Sequence, residues 1–168
     1  MKAISLVDNN ATNPKPWATL VEAGVKTIET RTWPVPKDYE LPFDLLICAT
    51  ASSKTVNEGL AVCVVSVVSC HPMKVSDQSA AQCEIYDGAW AWQTTNLRWL
   101  SQKFPVRGYQ RVFDVDIPEG VSFRKPTDRE LKQLRYDLYK ANWIQFREVD
   151  AGLMASMEDT MTVKRNPL

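Results

Sequence analysis

At residues 24–33 the chain reads Gly24-Val25-Lys26-Thr27-Ile28-Glu29-Thr30-Arg31-Thr32-Trp33. If the glycine ends a helix and a strand follows, alternation along the strand places Glu29, Arg31 and Trp33 on one face. Lys26 then lies at the turn and leans over that face. A carboxylate, a guanidinium, an ammonium and an indole together suit recognition of a heterocyclic base. The same alternation is typical of a solvated strand face, so the residue types alone leave both interpretations open.

The composition is that of a soluble globular protein. The 168 residues are 45% hydrophobic and 24% charged, which suits one domain with an appended element. Twenty Lys and Arg residues balance twenty Asp and Glu residues, so the formal net charge is zero. This balance argues against a protein that binds duplex DNA or tRNA over a broad basic surface, although it permits a pocket for one nucleotide.

The cysteines, the histidine and the glycines argue against several kinds of chemistry. The four cysteines form no C-x-x-C pair, and His71 is the sole histidine. A zinc site is therefore not expected, and a histidine-based catalytic triad would depend on His71 alone. No glycine-rich phosphate loop is present. We expect neither a metal nor another cofactor.

The N-terminus and the apolar segments indicate a cytoplasmic protein without a membrane partner. The first residues lack the long apolar segment and small-residue cleavage site of a signal peptide. The longest apolar stretch, residues 60–68, has about nine residues, whereas roughly twenty are needed to span a bilayer. We therefore expect a soluble, intracellular chain.

The pattern of elements predicts an α+β fold. Strands are predicted at residues 2–7, 26–33, 43–49, 60–70, 88–93 and 110–117, with a short helix near residues 16–23. The apolar run at 43–49 predicts burial on both faces, and residues 97–104 are predicted to form a connection. Because few helices separate the strands and no βαβ rhythm occurs, we expect a small mixed, mainly antiparallel barrel.

The chain changes character after residue 118, so we divide it into a barrel domain, 1–118, and a C-terminal helical extension, 119–168. Thr127 and Glu130 form a capping box that opens a helix predicted to reach residue 142. Leu131, Leu134 and Leu138 form an apolar stripe that we expect to pack on the barrel. The mildly basic opposite face leaves three interpretations open: simple solvation, nucleic-acid contact or a protein partner.

Residues 17–34 carry a family resemblance. The stretch from Trp17 to Pro34 resembles the signature W-A-x-L-[IV]-x-x-G-x-K-x-x-E-x-R-x-W of the ASCH domain, part of the PUA-like superfamily. Further similar segments at residues 45–52, 62–73, 89–92 and 105–110 extend the resemblance over about residues 2–117. The C-terminal helix lies outside it.

The resemblance implies a small, partly open β-barrel with a cleft between the barrel and the short helix. The K-x-x-E-x-R strand would form the floor of this cleft. Relatives in the superfamily are associated with RNA, and the EVE and SRA branches with modified bases. The residues expected to line the cleft are Trp17, Lys26, Glu29, Arg31, Trp33, Ser52, Ser53, Arg107 and Gln110.

One branch of the family suggests an enzyme, but this chain departs from its pattern. A small ASCH branch contains an amidohydrolase that removes the acetyl group from acetylated cytidine, with the pattern K-x-x-T-x-R. There the threonine is the proposed nucleophile and the lysine its activator. Glu29 occupies the threonine position here, and Thr30 is expected on the opposite strand face. The chain also has an insertion at residues 9–15, which could reshape the mouth of the cleft.

Two functional hypotheses follow for the cleft. In the first, the chain binds single-stranded RNA or a nucleotide or nucleoside, ordinary or modified. Glu29 would accept from an amine or ring N–H, Arg31 and Lys26 would meet ribose or phosphate, and a tryptophan would stack. The alternative is a hydrolase, an amidohydrolase or a nuclease, in which Lys26 polarises the scissile group and Glu29 is a general base. Without a nucleophile at residue 29, binding is favoured.

Overall fold

The structure, a computed structural model, describes residues 1–145. It has a mixed α+β fold in which a curled, mostly antiparallel sheet forms a half-barrel with a few short helices. This confirms the predicted fold class. The chain divides into two compact units, Met1–Pro126 and Thr127–Leu168.

The first unit contains seven strands and two short α-helices. The strands are β1 (Lys2–Leu6), β2 (Ile28–Arg31), β3 (Phe43–Ala49), β4 (Ala61–Pro72), β5 (Trp90–Leu100), β6 (Val112–Asp114) and β7 (Phe123–Arg124). The helices are α1 (Trp17–Glu22) and α2 (Gln78–Ala81), and a 3₁₀ turn at Val75–Asp77 precedes α2.

The strands form one sheet in the order β2-β5-β4-β3-β1-β6, and β7 pairs with β5. All pairs are antiparallel except β1 with β3, where Ile4 lies opposite Ile47. Strand β2 therefore lies at one edge of the sheet, beside β5. This edge position leaves its outer side free to face α2.

Strand β3 is buried on both faces, as its apolar run predicts. Ile47 belongs to a buried cluster with Trp92, whereas its neighbour Leu46 belongs to a second cluster with Phe104. Because successive side chains point to opposite faces of a strand, one strand contributes to both clusters.

Strand β2 is shorter than the predicted 26–33, and Lys26 and Trp33 lie outside it. The backbone N–H groups of Lys26 and Thr27 donate to the carbonyls of Leu20 and Ala80, so these donors are not available to β5. Strand β6 is likewise shorter than the predicted 110–117, because β1 pairs with it only through three residues.

The predicted connection at residues 97–104 was wrong over its first half. Strand β5 continues to Leu100, beyond the predicted end at residue 93. Trp99 pairs with both Cys63 of β4 and Arg124 of β7, so neighbours on two sides stabilise the longer strand. Strand β7 itself was not predicted.

The described part of the second unit contains α3 (Asp128–Lys140). It begins at the predicted capping box, where Glu130 N donates to Thr127 Oγ1 at 3.3 Å and Thr127 N to Glu130 Oε2 at 2.8 Å. The helix ends two residues before the predicted residue 142. The predicted packing of the extension on the barrel stays a prediction, and residues 146–168 lie outside the described part of the chain. No helix within residues 1–145 combines the length and apolarity needed to cross a membrane.

Candidate functional site

A cleft of about 270 Å³ opens at β2, close to the start of α1 and to the segment after α2; we call it the β2 cleft. Its volume lies near the lower end of small-molecule sites, which begin at about 300 Å³. Such a cleft suits a ligand the size of one aromatic base. Its lining residues are Ser5, Leu6, Val7, Asn13, Trp17, Lys26, Glu29, Thr30, Arg31, Cys83 and Tyr86.

The Lys26 ammonium is buried in the wall of this cleft. Its side chain is 3% exposed, and Nζ donates to Ile28 O at 2.7 Å and to Ala81 O at 2.9 Å. Nζ also lies 3.4 Å from Glu29 Oε2. These three acceptors match the three N–H donors of an ammonium. Lys26 thus connects β2, the end of α2 and Glu29.

The Glu29 carboxylate lies between two cations. Oε2 faces Lys26, and Oε1 lies 3.1 Å from Arg31 Nε. The Glu29 side chain is 7% exposed. A carboxylate offers about four acceptor positions, so two contacts leave acceptor capacity on both oxygens. The carboxylate can therefore receive N–H donors from a ligand while its cations hold it in place.

Arg31 is only partly satisfied. Nη2 donates to Ser5 O at 3.2 Å, and Nε lies close to Glu29 without the direction of a hydrogen bond. Both Arg31 Nε and Ser5 Oγ are buried and have no hydrogen-bond partner within residues 1–145. Because buried polar atoms are normally paired, these two atoms are exceptions that call for an explanation.

The two predicted tryptophans lie in different places. Trp17 lines the β2 cleft; its Nε1 donates to Asn13 Oδ1 at 2.8 Å, and the Lys26 ammonium lies 5.1 Å from its ring centroid. Trp33 does not line this cleft. Its ring packs edge-on against Trp92, with the ring centroids 4.9 Å apart.

A second, larger cavity of about 720 Å³ adjoins the first, and Ser5 and Arg31 line both. We call it the arginine cavity. Four of the predicted site residues line it: Arg31, which it shares with the β2 cleft, and Trp33, Arg107 and Gln110. Its full lining is Ile4, Ser5, Arg31, Thr32, Trp33, Thr50, Ala51, Val106, Arg107, Gly108, Tyr109, Gln110 and Arg111.

Ser52 and Ser53 line neither cavity. Ser53 is buried, and its Oγ accepts from Asp8 N at 2.9 Å. Ser52 Oγ lies 3.1 Å from the hydroxyl of Thr50 and accepts from the side chain of Asn10. These contacts give both serines a role in the loop that follows β3.

Seven residues that line the β2 cleft were not predicted: Ser5, Leu6, Val7, Asn13, Thr30, Cys83 and Tyr86. Alternation predicted that Thr30 faces away from Glu29, yet it lines the cleft and its Oγ1 lies 3.7 Å from Cys83 Sγ. The segment after α2 covers the outer side of β2, which brings both residues together. A long polar segment between two strands that carries Tyr86 was the available signal, because such loops often carry function.

A separate buried polar cluster, also not predicted, fastens α1. Asp8 is fully buried; its Oδ1 accepts from Thr19 N at 3.0 Å, and its Oδ2 accepts from Thr19 Oγ1 at 2.6 Å and Thr55 Oγ1 at 2.5 Å. Asp8 therefore satisfies a backbone N–H in the first turn of α1, where four N–H groups lack partners inside the helix.

The same cluster continues to Glu22. Its two carboxylate oxygens lie 3.1 Å from Asn57 Nδ2 and 2.6 Å from Lys103 Nζ, and Lys103 Nζ also donates to Asn57 Oδ1 at 2.6 Å. None of these side chains lines either cavity. We call the whole cluster the Asp8 network; its members are Asp8, Thr19, Glu22, Thr55, Asn57 and Lys103.

His71 lies outside both cavities, with Nε2 3.0 Å from Asp77 Oδ2. The hydrogen bond that Asp77 accepts from Lys74 N, together with the one to His71, lowers the pKa of Asp77. Within residues 1–145 no cluster of three or more His, Cys, Asp or Glu side chains could hold a metal ion.

Comparison with known families identifies the class of protein. The family model of the ASCH domain matches residues 14–146. The chain belongs to the ASCH domain family, whose PUA-like fold is generally linked to RNA binding. The match continues past residue 117 and includes α3, so it reaches further towards the C-terminus than the motifs indicated.

Solved structures of ASCH proteins are also similar to this chain. The ASCH protein from Zymomonas mobilis is 16% identical, with a TM-score of 0.43, and the match covers 82% of this chain and 94% of that one. A tyrosine-to-phenylalanine mutant of that protein is 15% identical, with a TM-score of 0.40 and coverages of 82% and 96%. No curated protein sequence matches the chain significantly.

Proposed function

We propose that the protein is an RNA-binding ASCH module that recognises one base, ordinary or modified, in the β2 cleft. The main support is the buried Glu29 carboxylate, which lies between Lys26 and Arg31 at the wall of a cleft of base size. A carboxylate held in one position loses little conformational freedom when a ligand binds. It therefore favours ligands that present N–H donors in matching directions.

Each of the three charged residues has a different role in this proposal. Glu29 accepts from an exocyclic amine or a ring N–H of the base. Arg31, whose side chain is 25% exposed, donates to a carbonyl or ribose oxygen. Lys26 was first expected to meet ribose or phosphate, but its donors already face three protein acceptors. We therefore assign it the role of positioning Glu29.

Stacking is assigned to Tyr86 together with Trp17. Both rings line the cleft, and Tyr86 is 40% exposed. Stacking on aromatic side chains is the usual way in which unpaired RNA bases are held. The Trp17 ring already contacts the ammonium groups of Lys15 and Lys26, at 5.3 and 5.1 Å from the ring centroid. Tyr86 thus offers the more accessible ring face.

The proposal is tested by calorimetric titration with adenosine, cytidine, guanosine and uridine, their acetylated and methylated forms, and short RNAs. The proteins are wild type, Glu29→Gln and, as a matched control, Glu22→Gln, which changes an equally buried carboxylate outside the cleft. A hydrogen bond to a charged group contributes about 1.5–3 kcal/mol, so Glu29→Gln should weaken the preferred base roughly 10- to 100-fold. Glu22→Gln should leave that affinity unchanged.

Two further readouts accompany the titrations. Thermal unfolding of each variant establishes that it is folded at the assay temperature. Chromatography of the incubated nucleosides and RNAs detects any product. Turnover that disappears in Glu29→Gln would identify a hydrolase, and the absence of both binding and turnover in the wild type would overturn the proposal.

A further inference from the structure

We infer that the arginine cavity binds the phosphodiester backbone of a single-stranded RNA whose base occupies the β2 cleft. The ligand would then be a strand, not a free nucleoside. This inference rests on the proposed function, because it places the rest of the ligand beside a bound base. It concerns the positive charges of Arg107 and Arg111, which line the arginine cavity but not the β2 cleft.

The arginine cavity carries uncompensated positive charge. Arg31, Arg107 and Arg111 line it, and no acidic residue of the described chain does. Within residues 1–145, neither Arg107 nor Arg111 forms an ion pair. A guanidinium presents a planar fork of N–H donors that matches the oxygens of a phosphate. The cavity is therefore suited to an anion of that geometry.

Two aromatic rings support these guanidinium groups. Arg107 Cζ lies 5.7 Å from the ring centroid of Tyr109, and Arg111 Cζ lies 5.9 Å from that of Trp33. A ring attracts a cation through its electron-rich face but carries no net charge. The rings can thus hold the guanidinium groups in place while leaving their charge available to a ligand.

The two cavities meet at Arg31 and Ser5, which line both. The loop before β6 lies against β1 at this junction, because a Cβ added to Gly108 would overlap Ser5 Oγ. A base beside Glu29 would therefore have its sugar and phosphates within reach of the larger cavity. The volumes, about 270 Å³ and about 720 Å³, fit a base on one side and a sugar-phosphate segment on the other.

The test uses the four standard ribonucleosides, their 5′-monophosphates and fluorescently labelled RNA homotetranucleotides as probes. The double variant Arg107→Gln/Arg111→Gln removes two charges from the cavity. Its matched control, Lys37→Gln/Lys125→Gln, removes two charges from exposed lysines that line neither cavity. Thermal unfolding confirms that both variants are folded.

For the preferred base, we expect the wild type to bind the tetranucleotide at least roughly tenfold more tightly than the nucleoside, since each charged hydrogen bond adds about 1.5–3 kcal/mol. The arginine double variant should lose that advantage and still bind the nucleoside like the wild type. For this variant, the slope of log affinity against log salt concentration should be shallower by about 0.7 for each phosphate that the arginines no longer neutralise. The lysine control should match the wild type.

Several outcomes would overturn the inference and leave base recognition intact. These are equal affinities for nucleoside and tetranucleotide, unchanged tetranucleotide binding in the arginine double variant, or a 5′-monophosphate that binds as tightly as the strand. The last would indicate a free nucleotide. Tetranucleotide binding that requires the arginines but is insensitive to base identity and to Glu29→Gln would overturn the proposed base recognition and support the arginine cavity.

Discussion

The Asp8 network and the β2 cleft contain the same kinds of charged group at similar burial. Counted over the whole residue, Glu22 and Glu29 are 7% and 6% exposed, and each contacts a lysine. The two regions differ in the completeness of their hydrogen bonding. Both carboxylate oxygens of Glu22 have hydrogen-bonding or ionic partners, whereas the β2 cleft leaves Arg31 Nε and Ser5 Oγ without hydrogen bonds in the described chain. Incomplete pairing, more than buried charge itself, distinguishes the candidate site from the Asp8 network.

Cysteine reactivity gives the largest expected contrast, between Cys63, a thiol influenced by the charges of the Asp8 network, and Cys83 of the β2 cleft. Burial, reinforced by the charge of Glu22, raises the pKa of the Cys63 thiol well above its ordinary value. Cys83 is partly exposed and lines the β2 cleft. Because the thiolate is the reactive species, Cys63 should react only when the fold opens. Opening costs at least about 5 kcal/mol in a typical domain, so we expect a rate on the order of 10³-fold lower.

The rates are measured with a chromogenic disulfide reagent on variants that keep only Cys63 or only Cys83. A third variant that keeps Cys48, whose pKa burial raises to about 12, should be as slow as the Cys63 protein. Denaturant should make all three equally fast. Comparable native rates for Cys63 and Cys83 would contradict the distinction between a closed network and an open cleft.

The next largest effect is expected from Asp8→Ala. This change leaves the Thr19 backbone N–H and the hydroxyls of Thr19 and Thr55 without their acceptor. Removing the acceptor of buried donors in a charged network costs about 3–5 kcal/mol. Urea denaturation should therefore show a loss of that size in the free energy of unfolding.

Asp8→Asn serves as the control, because it keeps one oxygen for Thr19 N and should cost less. Both variants should bind nucleosides with the affinity of the wild type at temperatures where they are folded, since Asp8 lines neither cavity. A fully stable Asp8→Ala protein that no longer binds the base would place Asp8 in the binding site instead.

Local patterns predicted much of the fold. The apolar run of β3 and the Thr127 and Glu130 capping box act through neighbouring residues, and both appear where they were predicted. The end of β5 could not be predicted in the same way. Trp99 belongs to a strand because Arg124 pairs with it, and Arg124 lies 25 residues further along the chain.

The site was predictable to a similar extent. Strand spacing places Glu29 and Arg31 together, and they form an ion pair. One acceptor of the Lys26 ammonium, Ala81 O, lies 55 positions away, so no local pattern contains it. Tyr86 reaches the cleft for the same reason, because the segment after α2 must first pack beside β2.

The smallest effect is expected at the junction of the two cavities, where Ser5 and Gly108 approach each other. A Cβ at residue 108 would overlap Ser5 Oγ and lie 3.2 Å from Ser5 Cβ. Overpacking of this kind costs about 1–3 kcal/mol, which we expect for Gly108→Ala in urea denaturation. Ser5→Ala alone should be close to neutral, because it removes a buried hydroxyl that has no hydrogen-bond partner in the described chain.

The double variant Ser5→Ala/Gly108→Ala should recover most of the lost stability, since the overlapping oxygen is gone and only the 3.2 Å approach to residue 5 remains. Residues in direct contact show coupling energies of about 0.5–3 kcal/mol in such a cycle. Coupling in this range would establish that the loop before β6 rests on β1 and keeps the two cavities adjacent. Strictly additive effects would mean that the loop moves away at little cost, and the cavities would then be independent sites.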